Sequence, residues 1–403
     1  MDIINENSIV DLKFHLKWKS REAVHSDCYN GTGMNMWRDW MPEKLRNSLI
    51  GRSPGDQINM TFSSGEFLDD FSNKKHFKIK SRQFNQETDN NSIIKPQKGR
   101  FYPKGLLQGV TGIFKANKEP FRCVDINNGF IDVDFNKPLA GYNLELKASI
   151  GNVKEKISDK GGESIDWVSL LTTGPGMQAR WQKSSTDFFS DSPFMRQDET
   201  PDNIFYQKPR FVHHLDDKAR EMVRNIHALS LKDDMKILDL MSSWVTHLPE
   251  NIRPKKVSGL GMNEAELKKN PDLDDYIVHD LNLDPVLPYD SESFDAVICT
   301  GSIEYLIHPF EVFKEAARVL RPQGRFIVTF SNRWFPPKAV RIWEQLHEFE
   351  RMGLAAEYFL GIEDFENLHT YSIRGLPRPV SDKYFSQLFY SDPVYGVWAH
   401  KKG

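Results

Sequence analysis

The run Lys236-Ile-Leu-Asp-Leu-Met-Ser-Ser-Trp244 decides how this chain folds. A short apolar strand closes on an acid, Asp239, and small polar residues follow where the backbone must turn sharply beside a ligand. A helix over Lys218 to Leu229 precedes it. Further apolar strands follow at Val257-Ser-Gly-Leu260, Tyr276-Ile-Val-His279, Phe294-Asp-Ala-Val-Ile-Cys299 and Arg325-Phe-Ile-Val-Thr-Phe330. An amphipathic helix, Pro309 to Leu320, lies between the last two and is stopped by Pro322-Gln323-Gly324. Strands separated by helices imply parallel pairing, hence an α/β doubly wound sheet whose ligand sits beyond the carboxyl ends of its strands. Leu368 to Ile373 and Val394 to His400 read as an antiparallel hairpin with a short loop, on the sheet edge.

From about Val10 to Val153 the texture is different, with strands and turns and few convincing helices. Phe130-Ile-Asp-Val-Asp-Phe135 alternates apolar and acidic residues after the turn Asn127-Asn128-Gly129, and Asn143 to Ile150 alternates again after Gly141. This half is expected to be a mainly antiparallel β domain. Between the halves, residues 154–204 hold Lys160-Gly161-Gly162, Gly174-Pro175-Gly176 and Ser190-Asp-Ser-Pro193 among Trp167, Trp181, Phe188, Phe189 and Phe194. So many aromatics suit a connection that covers a site better than a solvated linker.

The whole chain has 403 residues, 39% hydrophobic and 27% charged, enough for two or three domains of roughly 100–200 residues each. With 53 Lys and Arg against 56 Asp and Glu, the net charge of -3 offers no general attraction to nucleic acid. Cys28, Cys123 and Cys299 lie far apart with no C-x-x-C pair, which argues against a disulfide framework or a thiolate metal site and fits a reducing cytoplasm. No signal segment or apolar run of the ~18 residues that a membrane span needs is evident. No metal and no membrane partner are expected.

The C-terminal pattern resembles the class I S-adenosylmethionine-dependent methyltransferases of the type-11 kind, over roughly residues 205–403. The pieces that carry the resemblance are Ile237-Leu-Asp-Leu240, the strand end at Asp280, Leu287-Pro288, Ser293-Phe-Asp-Ala-Val-Ile298, Arg318-Val-Leu-Arg-Pro-Gln-Gly324 and Phe326 to Phe330. It implies a Rossmann-like seven-stranded sheet with S-adenosyl-L-methionine as cofactor. It also implies that Asp239 and its loop lie at the donor's methionine end and that Asp280 receives the adenine amino group. Carboxylates suit both places, because they accept hydrogen bonds and oppose the donor's positive charge. Two departures stand out. Met241-Ser-Ser-Trp244 replaces the usual glycine-rich loop, and Gly261 replaces the usual ribose-holding acid, with Asn263 as the candidate substitute or an ordinary helix cap. The donor-lining set is Asp239, Met241, Ser242, Ser243, Trp244, Gly261, Met262, Asn263, Asp280, Leu281, Thr300 and Arg210, whose guanidinium could take the donor carboxylate.

Phe205-Tyr-Gln-Lys-Pro-Arg-Phe-Val-His-His-Leu-Asp216 and Phe330-Ser-Asn-Arg-Trp-Phe-Pro-Pro-Lys-Ala339 are similar to an uncharacterised branch of these enzymes in bacteria and plastids. After the fourth strand, Thr300-Gly-Ser-Ile-Glu-Tyr305 stands where base-nitrogen methylases carry Asn-Pro-Pro-Tyr, so a base nitrogen is a poor acceptor, and with an aromatic-rich connection and no basic stripe to suit a polymer a small acceptor is expected. Tyr206, His213, Tyr305 and His308 are the groups placed to orient it or take its proton. A thiol or sulfide needs little or no base and is the leading expectation (S-methylation).

Leu49 to Phe62, and Tyr102-Pro-Lys-Gly through Leu146 with the turn Asn136-Lys-Pro-Leu-Ala-Gly141, resemble the SlyD branch of the FKBP prolyl isomerases over residues 1–153. The first strand, Phe14-His-Leu-Lys-Trp18, and the segment Trp37-Arg-Asp-Trp-Met-Pro-Glu-Lys-Leu45 depart from that family's pocket. The resemblance therefore implies docking, dimerisation (a homodimer) or a lid more than isomerisation. Two rival readings follow: a protein methyltransferase whose unfolded or proline-containing substrate is recruited by this module, and a chaperone or prolyl isomerase with a degenerate methyltransferase half.

Overall fold

The computed structural model describes residues 3–86, 93–156 and 162–403. Lys160 and Gly161 of the first expected turn lie outside them. The chain forms two compact units, Met1–Ser190 and Asp191–Gly403.

In the first unit, β1 (Ser8–Lys19), β2 (Ala23–Asn35), β3 (Gln57–Phe62) and β8 (Leu144–Glu155) make an antiparallel sheet in the order β2-β1-β8-β3. A second sheet, in the order β4-β7-β6-β5, is built from β4 (His76–Lys80), β5 (Phe101–Pro103), β6 (Pro120–Asn127) and β7 (Phe130–Asp134). The hairpin between β6 and β7 turns at Asn128 and Gly129, with φ of 49° and 80°. Two consecutive positive φ values are what a tight hairpin turn requires, and Asn-Gly supplies them cheaply. The alternation of β1 sends Leu12, Phe14, Leu16 and Trp18 into the core, where α1 (Glu43–Leu49) adds Leu45 and Leu49.

Helix α2 (Trp167–Thr172) closes that core. Asp166 caps it by accepting from the Ser169 N–H at 2.9 Å. The Trp167 ring, 2% exposed, lies 5.9 Å from Phe14 and 6.4 Å from Tyr29, and its Nε1 donates to Asp39 Oδ2 at 2.9 Å. Gly31 of β2 makes room for it, since a Cβ there would stand 2.4 Å from the indole. Of the connection's aromatics, Trp167, Trp181, Phe188 and Phe189 fall in the first unit and Phe194 in the second. There Phe194 meets Tyr358 at 6.5 Å.

The second unit is a seven-stranded sheet in the order β11-β10-β9-β12-β13-β15-β14. Its parallel part comprises β9 (Lys236–Leu240), β10 (Lys256–Gly261), β11 (Asp275–Val278), β12 (Phe294–Thr300) and β13 (Leu320–Ser331). β14 (Phe365–Arg374) and β15 (Val394–Lys401) complete it antiparallel. The helices are α3 (Asp202–Phe205), α4 (Asp217–Ala228), α5 (Glu264–Lys269), α6 (Pro309–Val319), α7 (Arg341–Glu344) and α8 (Glu348–Leu360). The order reverses between β9 and β12, which opens a crevice at their carboxyl ends. One expectation fails. β14 and β15 do pair, but residues 375–393 lie between them instead of a short loop. That segment carries its own anchors, an arginine and two aspartates bound to the sheet's rim, and so does not need to be short.

Trp167 fills the middle of the first unit's core. Trp167→Ala is expected to lower the stability of that unit by about 3–5 kcal/mol, read from its urea midpoint. A loss under about 1 kcal/mol would show that α2 is not part of the core.

Candidate functional site

The crevice at the carboxyl ends of β9, β10 and β12 deepens into a cavity of about 240 Å³. Its geometry starts at Asp239. The strand buries that side chain to 3% exposure, and its Oδ2 accepts from Ser242 Oγ at 2.6 Å. Burial pushes the Asp239 carboxyl up to about 7, partly offset by hydrogen bonds from Ser242 and Thr246. A cation in the cavity would restore its charge, and this is the side chain's fit to a donor carrying an ammonium and a sulfonium.

The turn after Asp239 is made without glycine. Met241 takes φ of 57°, the left-handed region that costs an L-residue about 1–2 kcal/mol. The Ser242 N–H then donates to the Leu260 carbonyl at 2.7 Å, drawing the loop against the end of β10. Gly261 permits this contact. A Cβ at Gly261 would lie 2.2 Å from the Ser242 carbonyl oxygen, so the glycine standing at the usual acidic position answers a packing demand.

Asn263 caps α5, accepting from the Glu266 N–H at 3.1 Å, and its Nδ2 donates to the Tyr206 carbonyl at 2.8 Å and to the Gln207 carbonyl at 3.1 Å. Both ends of the amide are thus engaged, as in a helix cap. The acid nearest this corner is Glu266, which also lines the cavity and accepts from Ser243 Oγ at 2.6 Å and from the Arg210 N–H at 2.6 Å. Asp280 forms a turn, its Oδ1 accepting from the Asn282 N–H at 2.9 Å and the Leu283 N–H at 3.3 Å. Among the described residues its Oδ2 has no partner, which leaves that oxygen for an amino group. Arg210 lays its guanidinium over Phe205 (4.6 Å), Phe335 (5.5 Å) and Tyr206 (5.6 Å), with one hydrogen bond to the Phe205 carbonyl at 3.1 Å. The residues present fit the donor: a buried acid for its cations, a guanidinium free of a carboxylate, and an open acceptor at Asp280.

Every expected donor-lining residue borders this one cavity, as do Tyr206, His213 and Tyr305. His308 does not border it and stands at the N-cap of α6. Tyr206, Tyr305 and His213 divide by chemistry. Burial raises the Tyr206 and Tyr305 hydroxyls well above the usual range, and Tyr305 Oη accepts from the Phe335 N–H at 2.9 Å. Both phenols stay protonated and can donate. Arg220 donates to His213 Nε2 at 3.1 Å, which makes that nitrogen the acceptor and occupies its lone pair. The His213 ring then stacks on Trp244 at 4.5 Å as a wall.

Sequence reasoning missed His214, Glu266 and Asn282. His214 lies edge-on to Phe335 at 4.8 Å and, among the described residues, makes no hydrogen bond. Burial, with the charge of Arg210, lowers its pKa, so it is neutral at pH 7. Its signal was the doubled histidine of Phe211-Val-His-His214. Asn282 gathers three elements, donating to Asp202 Oδ2 at 2.8 Å and to the Tyr305 carbonyl at 2.9 Å and accepting from the Ile307 N–H at 2.9 Å. Asp202 is itself held by Arg196 at 2.8 Å and Lys338 at 3.2 Å, and it lines the cavity from the end of the aromatic connection. No group of three or more His, Cys, Asp or Glu suited to a metal occurs among the described residues. No helix there is long and apolar enough to cross a membrane.

Comparison with known proteins gives this geometry a chemical setting. A family model described as a methyltransferase domain matches residues 246–328. A curated relative, the mitochondrial 2-methoxy-6-polyprenyl-1,4-benzoquinol methylase of Mus musculus, is 27% identical over 123 residues, 29% of this chain and 37% of that protein's length. The chain thus spans well under half of that relative. An S-adenosylmethionine-dependent methyltransferase from Mesorhizobium loti is 16% identical, with a TM-score of 0.30, over 46% of this chain and 99% of its own. Geranyl diphosphate C-methyltransferase from Streptomyces coelicolor, solved with S-adenosyl-L-homocysteine, is 13% identical with a TM-score of 0.30, over 46% of this chain and 76% of its own. Residues 246–328, within the second unit, thus match a methyltransferase domain, and S-adenosylmethionine is the cofactor that goes with it.

Two outcomes follow from the turn and the histidines. Met241→Gly is expected to stabilise the second unit by up to about 1 kcal/mol in urea unfolding, because glycine tolerates that φ; destabilisation would mean that the Met side chain packs more than it strains. Burial holds His227 down to about 4 and His247 to about 3, below the ordinary 6.5. The unfolded chain therefore binds more protons, so stability is full above pH 6.5 and falls as the pH drops toward 4. His227→Gln should weaken that fall in urea midpoints measured between pH 7 and 4.5.

Proposed function

We propose that the chain transfers a methyl group from S-adenosylmethionine to a small-molecule nucleophile, with a thiol or sulfide as the acceptor. The observation that carries the reading is one cavity, at the carboxyl ends of β9, β10 and β12, lined by Asp239, which lies just before the domain match, and by Gly261 and Asp280 inside it. When bound, the donor supplies an electrophilic methyl group on a sulfonium. Asp239 would hold its positive end, Arg210 its carboxylate, and Asp280 its adenine amino group. Glu266 is the candidate for the ribose hydroxyls, in place of the absent acid at the end of β10.

The rest of the work falls on alignment and exclusion of water. Tyr206, Tyr305 and Phe335 wall the acceptor side, and the phenols orient the nucleophile by donating hydrogen bonds. They are too basic when ionised to serve as bases at neutral pH. His214, neutral and, among the described residues, without a hydrogen bond, is the candidate to take a proton. A thiol suits this set, since it gives up its proton near neutrality to solvent or to His214 and then needs only positioning. An FKBP-like role for residues 1–153, as a docking or dimerising module, remains part of this proposal.

Incubating the full chain with labelled donor and a panel of thiols, sulfide, phenols and amines tests the acceptor class. Turnover confined to phenols or amines would sink the thiol assignment. The donor site has its own test. Asp239 rests near 7 when buried alone, and a bound cation favours its ionised form, so binding releases a proton and affinity should rise as the pH climbs through about 7. Calorimetry in buffers of different ionisation heat reads that proton directly. Asp239→Asn should abolish the pH dependence and weaken donor binding at least about tenfold, equivalent to about 1.4 kcal/mol.

A further inference from the structure

Residues 375–393, the strap between β14 and β15, have a rigid root and an apolar tip. The root is a buried ionic clamp. Arg378, 4% exposed, binds Asp392 at 2.7 Å, Asp382 at 3.1 Å and Asp216 at 3.3 Å. Ser391 Oγ donates to Asp216 Oδ1 at 2.6 Å, the Asp392 N–H donates to Asp216 Oδ2 at 2.7 Å, and Arg333 pairs with Asp392 at 3.0 Å. Asp216 is also the N-cap of α4, accepting from the Ala219 N–H at 2.9 Å. It directly follows His213, His214 and Leu215, which line the cavity, so the clamp fixes the strap to the cavity wall. Arg333, two residues before Phe335 of the same wall, lies 5.5 Å from the Tyr384 ring. Lys383 acts electrostatically on His214.

The tip is the opposite of its root. Val380 is 79% exposed, Phe385 45%, Leu388 41% and Phe389 89%. Soluble surfaces seldom gather large apolar side chains in one short segment without a ligand to cover them. We propose that this strap seats the hydrocarbon tail of the methyl acceptor, so that the acceptor is a nucleophile borne on an apolar chain. The inference rests on the methyl-transfer reading and narrows its substrate class. The occupant follows from position and charge. The strap is tied to the wall of the cavity that must admit the acceptor, so a molecule whose reactive end enters there has its other end beside the strap. Lys383 is the one basic residue in the exposed run of residues 383–390, whereas a membrane surface selects for several. An uncharged tail needs area alone, and each buried methylene contributes to binding.

The test measures binding of ethanethiol, butanethiol, hexanethiol and octanethiol to the full chain in the presence of S-adenosyl-L-homocysteine, by calorimetry, beside methyl transfer to the same thiols. Affinity is expected to rise about three- to fourfold per added methylene until the strap is covered. In the variant Phe385→Ser/Leu388→Ser/Phe389→Ser that slope should flatten, while donor affinity and the thermal midpoint stay as in the parent. No slope in the parent chain, or a slope unchanged in the variant, overturns the inference. Binding to anionic phospholipid vesicles that is lost in the variant, without a slope for the thiols, also overturns it and marks a membrane contact instead. The two readings fail separately. A slope without methylation of any thiol removes the thiol acceptor and leaves the tail seat, whereas equal methylation and equal binding of short and long thiols leaves the acceptor and removes the seat.

Discussion

The contact on which the second unit's site depends is the approach of the Ser242 carbonyl to the end of β10. Only an absent side chain at Gly261 allows it, because a Cβ there would stand 2.2 Å from that oxygen. From it follow the 2.7 Å hydrogen bond between the Ser242 N–H and the Leu260 carbonyl, the left-handed turn at Met241, and the placement of the Ser242 hydroxyl 2.6 Å from Asp239. The loop that covers Asp239 is therefore held by the backbone of a neighbouring strand. Strain at one residue is balanced by hydrogen bonds at the next, as is common at functional sites.

The same unit keeps costly polar groups where an apolar core would be cheaper. Asp239 lies buried with a carboxyl raised to about 7, and Glu304, next to Tyr305 in the chain, is likewise raised by burial to about 7, with its Oε2 lacking a hydrogen-bond partner among the described residues. Such groups destabilise the fold by themselves and gather at sites that bind or react. Around them the rim is over-determined. Asn282, Asp202, Arg196 and Lys338 interlock, so the aromatic wall of Tyr206, Tyr305 and Phe335 is presented on a stiff frame. Pre-organisation of this kind suits a reaction whose main demand is alignment.

Much of the site was legible in the residues. The parallel strands are short, apolar and separated by helices, so periodicity marks them, and Asp239 and Asp280 stand at strand ends, where the topology exposes them to a ligand. What periodicity cannot carry is the partner of each polar side chain. Asn263 reads equally as a helix cap and as a ribose ligand, and only its bonds to Glu266 and to the Tyr206 carbonyl distinguish the two. His213 and His214 are equivalent as letters. One has its lone pair occupied by Arg220, and the other makes no hydrogen bond among the described residues. His308 looks well placed beside Tyr305 but stands at the N-cap of α6 and does not border the cavity.

The sequence by itself determined the α/β order of the second unit, the antiparallel character of the first, and the acids at the strand ends, because these depend on local periodicity and turn chemistry. Tertiary structure alone decided why Gly261 is a glycine, which of the two histidines makes no hydrogen bond among the described residues, and how Arg378 and Asp392 tie residues 375–393 to Asp216. Those features rest on contacts between segments far apart in the chain, such as Asp216 with Arg378 and Gly261 with Ser242. No local pattern encodes a distance between two segments that only folding brings together.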